Sequence, residues 1–143
     1  MQALVIHESL TGNTRKAAGL VVEELKAHGW EASECSSRAV DLAALQQSDV
    51  VIIGTWVDGL ILFGQRPGSS GKLTKIPLLA GKPTFVYVTY AVDAGKTLDK
   101  LTALVEGRDG DVRGGMAIRR DQLVDGCIDL AAGVVAAVPA PAN

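Results

Sequence analysis

One short run constrains this chain more than any other. Residues 49–54 read DVVIIG, an unbroken apolar stretch of strand length. A strand with one wet face alternates apolar and polar residues. A continuous β-branched run instead belongs to a parallel strand covered by helices on both faces. Two further runs, 3–6 (ALVI) and 84–89 (TFVYVT), have the same character. Between the first two, the apolar spacing switches to that of a helix. Over 14–28, Ala17, Leu20, Val21 and Leu25 share a face, Lys16, Glu23, Glu24 and Lys26 lie elsewhere, and Gly29 ends the pattern.

The alternation continues along the chain. Residues 30–36 alternate weakly, as an edge strand does, and Asp41 caps a short helix through Gln47. Residues 95–105 (GKTLDKLTALV) form the next helix. Residues 111–118 give a fifth strand, with Gly114 and Gly115 as a candidate bulge, and Asp121 caps a last helix to about 138. This predicts one α/β domain over 1–138, with a five-stranded parallel sheet, helices on both faces and a disordered tail at 139–143. Residues 55–75 fit the alternation poorly and include a short helix of unassigned ends. In such sheets a ligand sits beyond the carboxyl ends of the strands, here the loops after His7, Gly54 and Val88.

Composition narrows the classes. The chain has 143 residues, 48% of them hydrophobic and 21% charged, enough for one globular core. A net charge of −2 gives no reason to propose nucleic acid as a partner. Cys35 and Cys127, far apart and without a CxxC spacing, read as buried reduced thiols in a cytoplasmic protein. The chain shows neither a secretory leader nor an apolar stretch of membrane-spanning length, so a cytoplasmic location away from any membrane is expected. His7 and His28 are the only histidines, too few for a metal site or a catalytic triad.

The first loop carries the chemistry. Ser9, Leu10, Thr11, Gly12, Asn13 and Thr14 lie between a strand and a helix start. Hydroxyls, the Asn13 amide and the first N–H groups of the helix could there hold a phosphate without a cationic side chain. Gly12 fits a turn whose backbone must approach the ligand. The alternative is a hydroxyl-rich turn with a threonine helix cap. The motif is neither a Walker loop nor GxGxxG. It resembles the (S/T)xTGxT phosphate loop of flavodoxins, which bind flavin mononucleotide (FMN).

Two further loops resemble the same family. Thr55, Trp56, Val57 and Asp58, followed by Gly59, are similar to the TWGD element of short-chain flavodoxins, where the tryptophan covers one face of the flavin ring. The alternative for Trp56 is a core position under a long loop. Val57 stands where the family has glycine. A β-branched residue resists positive φ, so the peptide turnover that stabilises one-electron-reduced flavin in the family should be costlier here. Thr89, Tyr90, Ala91 and Asp93 fall in a segment that resembles the SYGWSG loop of larger flavoproteins. Tyr90 is a candidate to lie along or over the ring, or is an ordinary surface aromatic. Val92 replaces the second tryptophan.

The resemblance implies a flavodoxin-like three-layer sandwich of strand order 2-1-3-4-5 that binds FMN and relays electrons between a reductase and an acceptor enzyme. The alternative is an NAD(P)H-dependent FMN quinone reductase of the same fold. A flavin-free module of receiver type lacks support, because Glu8 is the sole acid at the end of the first strand. Asp58 and Asp93 would disfavour an added electron. Arg66, Lys72 and Lys75 oppose that and, beside the apolar 60–63, suggest docking of an acidic redox partner by a monomer or weak dimer, or else are a solvated basic loop.

Overall fold

The computed structural model describes residues 1–10, 12–58, 66–68 and 70–139. In chain order the elements are β1 (Gln2–His7), α1 (Asn13–Ala27), β2 (Glu31–Ser36), α2 (Leu42–Gln47), β3 (Val50–Asp58), β4 (Arg66–Pro67), α3 (Ser70–Leu73), β5 (Pro83–Tyr90), α4 (Thr97–Glu106), β6 (Asp111–Arg119) and α5 (Leu123–Ala137). Five strands pair in parallel in the order β2-β1-β3-β5-β6, and the two-residue β4 pairs antiparallel with the end of β3. With β4 set aside, this is the expected five-stranded order.

The run at 49–54 lies in the central strand, as its composition demands. Val50 and Ile52 pack with Val5, Val21, Leu25, Cys127 and Val134 on the face covered by α1 and α5. Val51 and Ile53 pack with Leu4, Ile6, Val86, Leu101 and Val105 on the opposite face. All four β3 side chains have zero exposure. At about 1.5–3 kcal/mol for each fully buried aliphatic side chain, a polar residue on either face would forfeit a large fraction of a domain's net stability. Among the described residues, no helix is long and apolar enough to cross a membrane.

Several local expectations are corrected. The segment Thr55, Trp56, Val57 and Asp58 is the end of β3 rather than a loop, with Trp56 in register with Thr89, and Val57 and Asp58 opposite Pro67 and Arg66. Thr, Trp and Val favour a pleated strand, and the basic stretch after them supplies a partner. Helix α5 starts at Leu123 with Gln122 at the cap position and no side-chain cap bond. Asp121 does not cap it because Arg119 takes its carboxylate, Nε at 2.8 Å and Nη2 at 2.6 Å. Helix α4 starts at Thr97, since Gly95 has φ +54°. Cys35 is half-buried on the edge strand β2, while Cys127 is fully buried as expected. The β6 irregularity falls at Arg113, which is skipped between the pairs Thr84–Val112 and Phe85–Gly114. The tail from 140 onward, Thr11, Gly59 and the apolar 60–63 lie outside the described residues.

One contact couples the sheet to the first helix. Tyr87 of β5 is fully buried, and its ring lies against Gly54 of β3, where a Cβ would fall 1.9 Å from the ring. The ring therefore crosses a neighbouring strand only because that strand has no side chain at this point. Its hydroxyl donates to the Thr14 carbonyl in the first turn of α1 at 2.9 Å. Burial pushes the phenol well above its usual range, so it stays a donor.

Gly54→Ala is expected to overpack this crossing and cost about 1–3 kcal/mol, while Tyr87→Phe should cost about 1 kcal/mol for the lost hydrogen bond. Urea unfolding at unchanged slope measures both. A Gly54→Ala midpoint equal to wild type would show that the ring has room to spare.

Candidate functional site

β1, β3 and β5 are neighbours in the sheet, so their carboxyl ends bring His7, Asp58 and Tyr90 to one rim. The turn leaving β1 tightens at Gly12, whose φ of +98° lies in the left-handed region that side chains disfavour. Gly12 is the N-cap residue of α1, and no side chain caps the helix from that position. The Gly12 N–H donates to Ser9 Oγ at 3.0 Å, and the Gly12 carbonyl accepts from Lys16 N–H at 2.8 Å. The first turn contains no acid and carries Arg15 and Lys16, both exposed. The positive end of the helix dipole, with no acid in the first turn, suits an anion.

Thr14 does not face outward. It is 1% exposed, and its hydroxyl shares a 2.9 Å hydrogen bond with that of Thr89 at the end of β5. Two residues expected in separate ligand loops are thus bonded to each other. Together with Tyr87 they fasten the start of α1 to β5. Leu10 stands at the tip of the turn, 72% exposed.

The end of β3 is held from the other side. Thr55, fully buried, donates its hydroxyl to the Gly68 carbonyl at 2.7 Å, and Gly68 N–H donates to the Trp56 carbonyl at 2.8 Å. A Cβ at Gly68 would fall 2.0 Å from the indole, so the Gly68 backbone lies against Trp56. Trp56 is half-buried in this contact rather than enclosed in the core. Val57 is not among the non-glycine residues with positive φ. Its backbone stays extended, paired with Pro67, and Asp58 forms a 3.4 Å ion pair with Arg66.

These elements enclose a cleft. Leu10 and Asn13 border it from the first turn, Trp56 and Val57 from β3, and Thr89, Tyr90 and Ala91 from the end of β5. Asp93 is exposed and does not line it, and Val92 is 80% exposed. The eighth lining residue, Arg120, was not anticipated. It follows β6 and donates its backbone N–H to the Tyr90 carbonyl at 2.8 Å. Its sequence signal was the Arg119, Arg120, Asp121 run at the exit of the fifth strand, which reaches the same rim by the carboxyl-end rule.

Two titratable side chains prepare the first turn. Glu8 is 2% exposed and accepts from the Ser37 hydroxyl, from Arg38 Nε at 3.1 Å and from Arg38 Nη2 at 2.9 Å. His7 Nε2 lies 2.9 Å from Glu34. Burial is the largest influence on His7 and lowers its pKa, with Arg15 acting the same way and Glu34 opposing. Neutral His7 donating Nε2–H to Glu34 satisfies both observations. No group of three or more His, Cys, Asp or Glu side chains among the described residues could hold a metal ion.

The geometry suits a group with a phosphate at one end and a planar ring at the other. Gly12 and the acid-free first turn of α1 offer an anion cradle, and the cleft between Trp56 and Tyr90 continues from it.

The family described as Flavodoxin domain matches residues 4–103. Among solved structures, flavodoxin 2 from Bacillus cereus superposes with a TM-score of 0.73 at 21% identity, covering 96% of this chain and 100% of that one. Two-electron reduced flavodoxin from Megasphaera elsdenii gives 0.69 at 19%, covering 90% and 95%. Rubredoxin oxygen:oxidoreductase from Desulfovibrio gigas gives 0.67 at 15%, covering 97% of this chain but 37% of that one, so there the fold is one part of a longer protein. At these identities the structural likeness speaks for the fold alone. No curated protein matches the chain.

Arg38→Ala should lower the urea midpoint by leaving the buried Glu8 carboxylate without its cation. Adding Glu8→Gln should recover part of that loss. A double-mutant cycle from urea unfolding reads the coupling, and additive losses would mean that the pair contributes nothing.

Proposed function

Because the chain belongs to the flavodoxin domain family, we propose that it binds FMN at the α1 start and the adjoining cleft, and relays electrons between a reductase and an acceptor redox enzyme. The observation that carries this reading is the start of α1. Gly12 at the N-cap supplies no capping side chain, no acid opposes an anion in the first turn, and the position abuts an aromatic-lined cleft.

Bound FMN would supply the redox chemistry, accepting electrons from a donor and passing them on. The protein's part is binding and orientation. The α1 N–H groups, Ser9 and Asn13 would hold the phosphate, with Arg15 and Lys16 adding a positive field. Thr14 is committed to Thr89 and acts by fixing the turn. Trp56, braced by Gly68, would cover one face of the ring and exclude water, and Tyr90 would border the other. Val57, held extended against Pro67, would keep the backbone beside the ring from turning over freely.

Electron relay also needs a surface for redox partners. The exposed Lys72 and Lys75, with Arg66 nearby in sequence, favour an acidic one. Val92, exposed where a second tryptophan would close the cleft, favours the second reading, a quinone reductase that admits a nicotinamide and then a quinone over the ring.

The test is addition of FMN to the purified protein, read by flavin fluorescence and visible absorbance, followed by anaerobic NADH or NADPH. The proposal predicts stoichiometric quenching and reduction by nicotinamide that is slow compared with photoreduction. Rapid bleaching by NADH or NADPH would favour the quinone reductase. Unchanged flavin fluorescence would overturn both.

A further inference from the structure

We propose that Arg120 is the electrostatic tuner of this cleft, a cation that binds reduced FMN in preference to oxidised FMN. The inference rests on the FMN reading above and adds a fourth rim loop to it.

The placement comes first. Arg120 is fixed at its backbone by the 2.8 Å bond to the Tyr90 carbonyl and lines the cleft beside Trp56 and Tyr90. A residue tied to the end of β5 in this way stays at the rim whatever its side chain does. The guanidinium is always charged near neutral pH and offers five donors.

The neighbouring charges give the field its sign. Asp58, on the β3 side, is paired with Arg66 at 3.4 Å. Asp121, next in sequence, is held by two bonds from Arg119. Glu8, beneath the first turn, is held by Arg38. Each of these acids has a cation of its own, whereas Arg120 forms no ion pair among the described residues. A second groove that also contains Arg120 brings Lys16 together with Asp121 and Asp125, so its own charges balance. Of the two acids expected to repel an added electron, Asp58 has a cation beside it and Asp93 does not line the cleft, so the charged side chain that lines the cleft is the Arg120 cation, whose field is shared in part with Asp121.

That charge distinguishes the two forms of the cofactor. Oxidised FMN carries a neutral ring. Two electrons from a donor, dithionite in the test below, and one proton from water convert it to a reduced ring with one net negative charge, with no other bond made or broken. The phosphate charge is common to both forms, so a cation beside the ring favours the reduced form over the oxidised one by its attraction to the added ring charge. Since Arg120 is exposed, salt should screen the effect.

The experiment measures dissociation constants of oxidised FMN by fluorescence and the two-electron midpoint potential by dithionite titration, for wild type, Arg120→Gln and Arg120→Lys. The ratio of the constants for reduced and oxidised FMN follows from the shift relative to free FMN. Arg120→Gln should change oxidised binding by less than about threefold, but weaken reduced binding relative to oxidised by about five- to tenfold. Tenfold corresponds to a potential lower by about 30 mV. Arg120→Lys should retain most of the preference. In wild type, raising salt from 50 to 500 mM should lower the preference, a readout that needs no variant.

A ratio unchanged in Arg120→Gln, equal weakening of both forms, or a wild-type ratio insensitive to salt would overturn the assignment while leaving FMN binding intact. Failure of wild type to bind FMN would overturn the functional reading itself.

Discussion

The hydroxyl of Tyr87 bonded to the carbonyl of Thr14 is the constraint on which the rest of the site depends. The open end of a helix binds an anion only if it is held still, since a fraying first turn would spend binding energy on being ordered. Here the turn is anchored from inside the protein. Tyr87 reaches it across Gly54, Thr89 bonds the Thr14 hydroxyl, and Ser9 accepts from Gly12. The buried side chains brace the turn, and the first turn of α1 they hold contains no acid. A hydroxyl-rich sequence motif therefore contains two kinds of residue, and Thr14 belongs to the bracing kind.

The same division explains what the sequence could reveal. The sheet was legible because buried parallel strands must be apolar on both faces, and the run at 49–54 admits few other readings. The first turn was legible because Gly12 and its hydroxyl neighbours stand between a strand and a helix. The end of β3 reads as a loop in sequence because Thr55 and Trp56 extend the pairing with β5 past the apolar run, and Val57 and Asp58 are strand only through β4, a two-residue partner with no pattern of its own. Asp121 was misassigned as a cap because capping and ion pairing demand the same acidic residue, and only the position of Arg119 decides between them. Arg120 was missed because a single charged residue at a strand exit has no periodicity to betray it.

Charge around the cleft follows a consistent rule. Glu8, Asp58 and Asp121 each meet an arginine, so acids that would oppose a phosphate or a reduced ring are neutralised locally rather than omitted. Within the cleft itself the charged lining residue is then Arg120, although the chain carries a net charge of −2. The arrangement also separates binding from tuning. The α1 start acts on the phosphate, whose charge is constant through a redox cycle, while Arg120 acts on the ring, whose charge changes.

The central claim is that the start of α1 is a phosphate site, and riboflavin tests it most directly because it is FMN without the phosphate. Dissociation constants for both, measured by fluorescence in the same buffer, isolate that one group. Several charge-assisted hydrogen bonds at about 1.5–3 kcal/mol each predict that FMN binds at least about a hundredfold more tightly than riboflavin. Equal affinities would mean that the turn at Gly12 holds no phosphate, and would contradict the account.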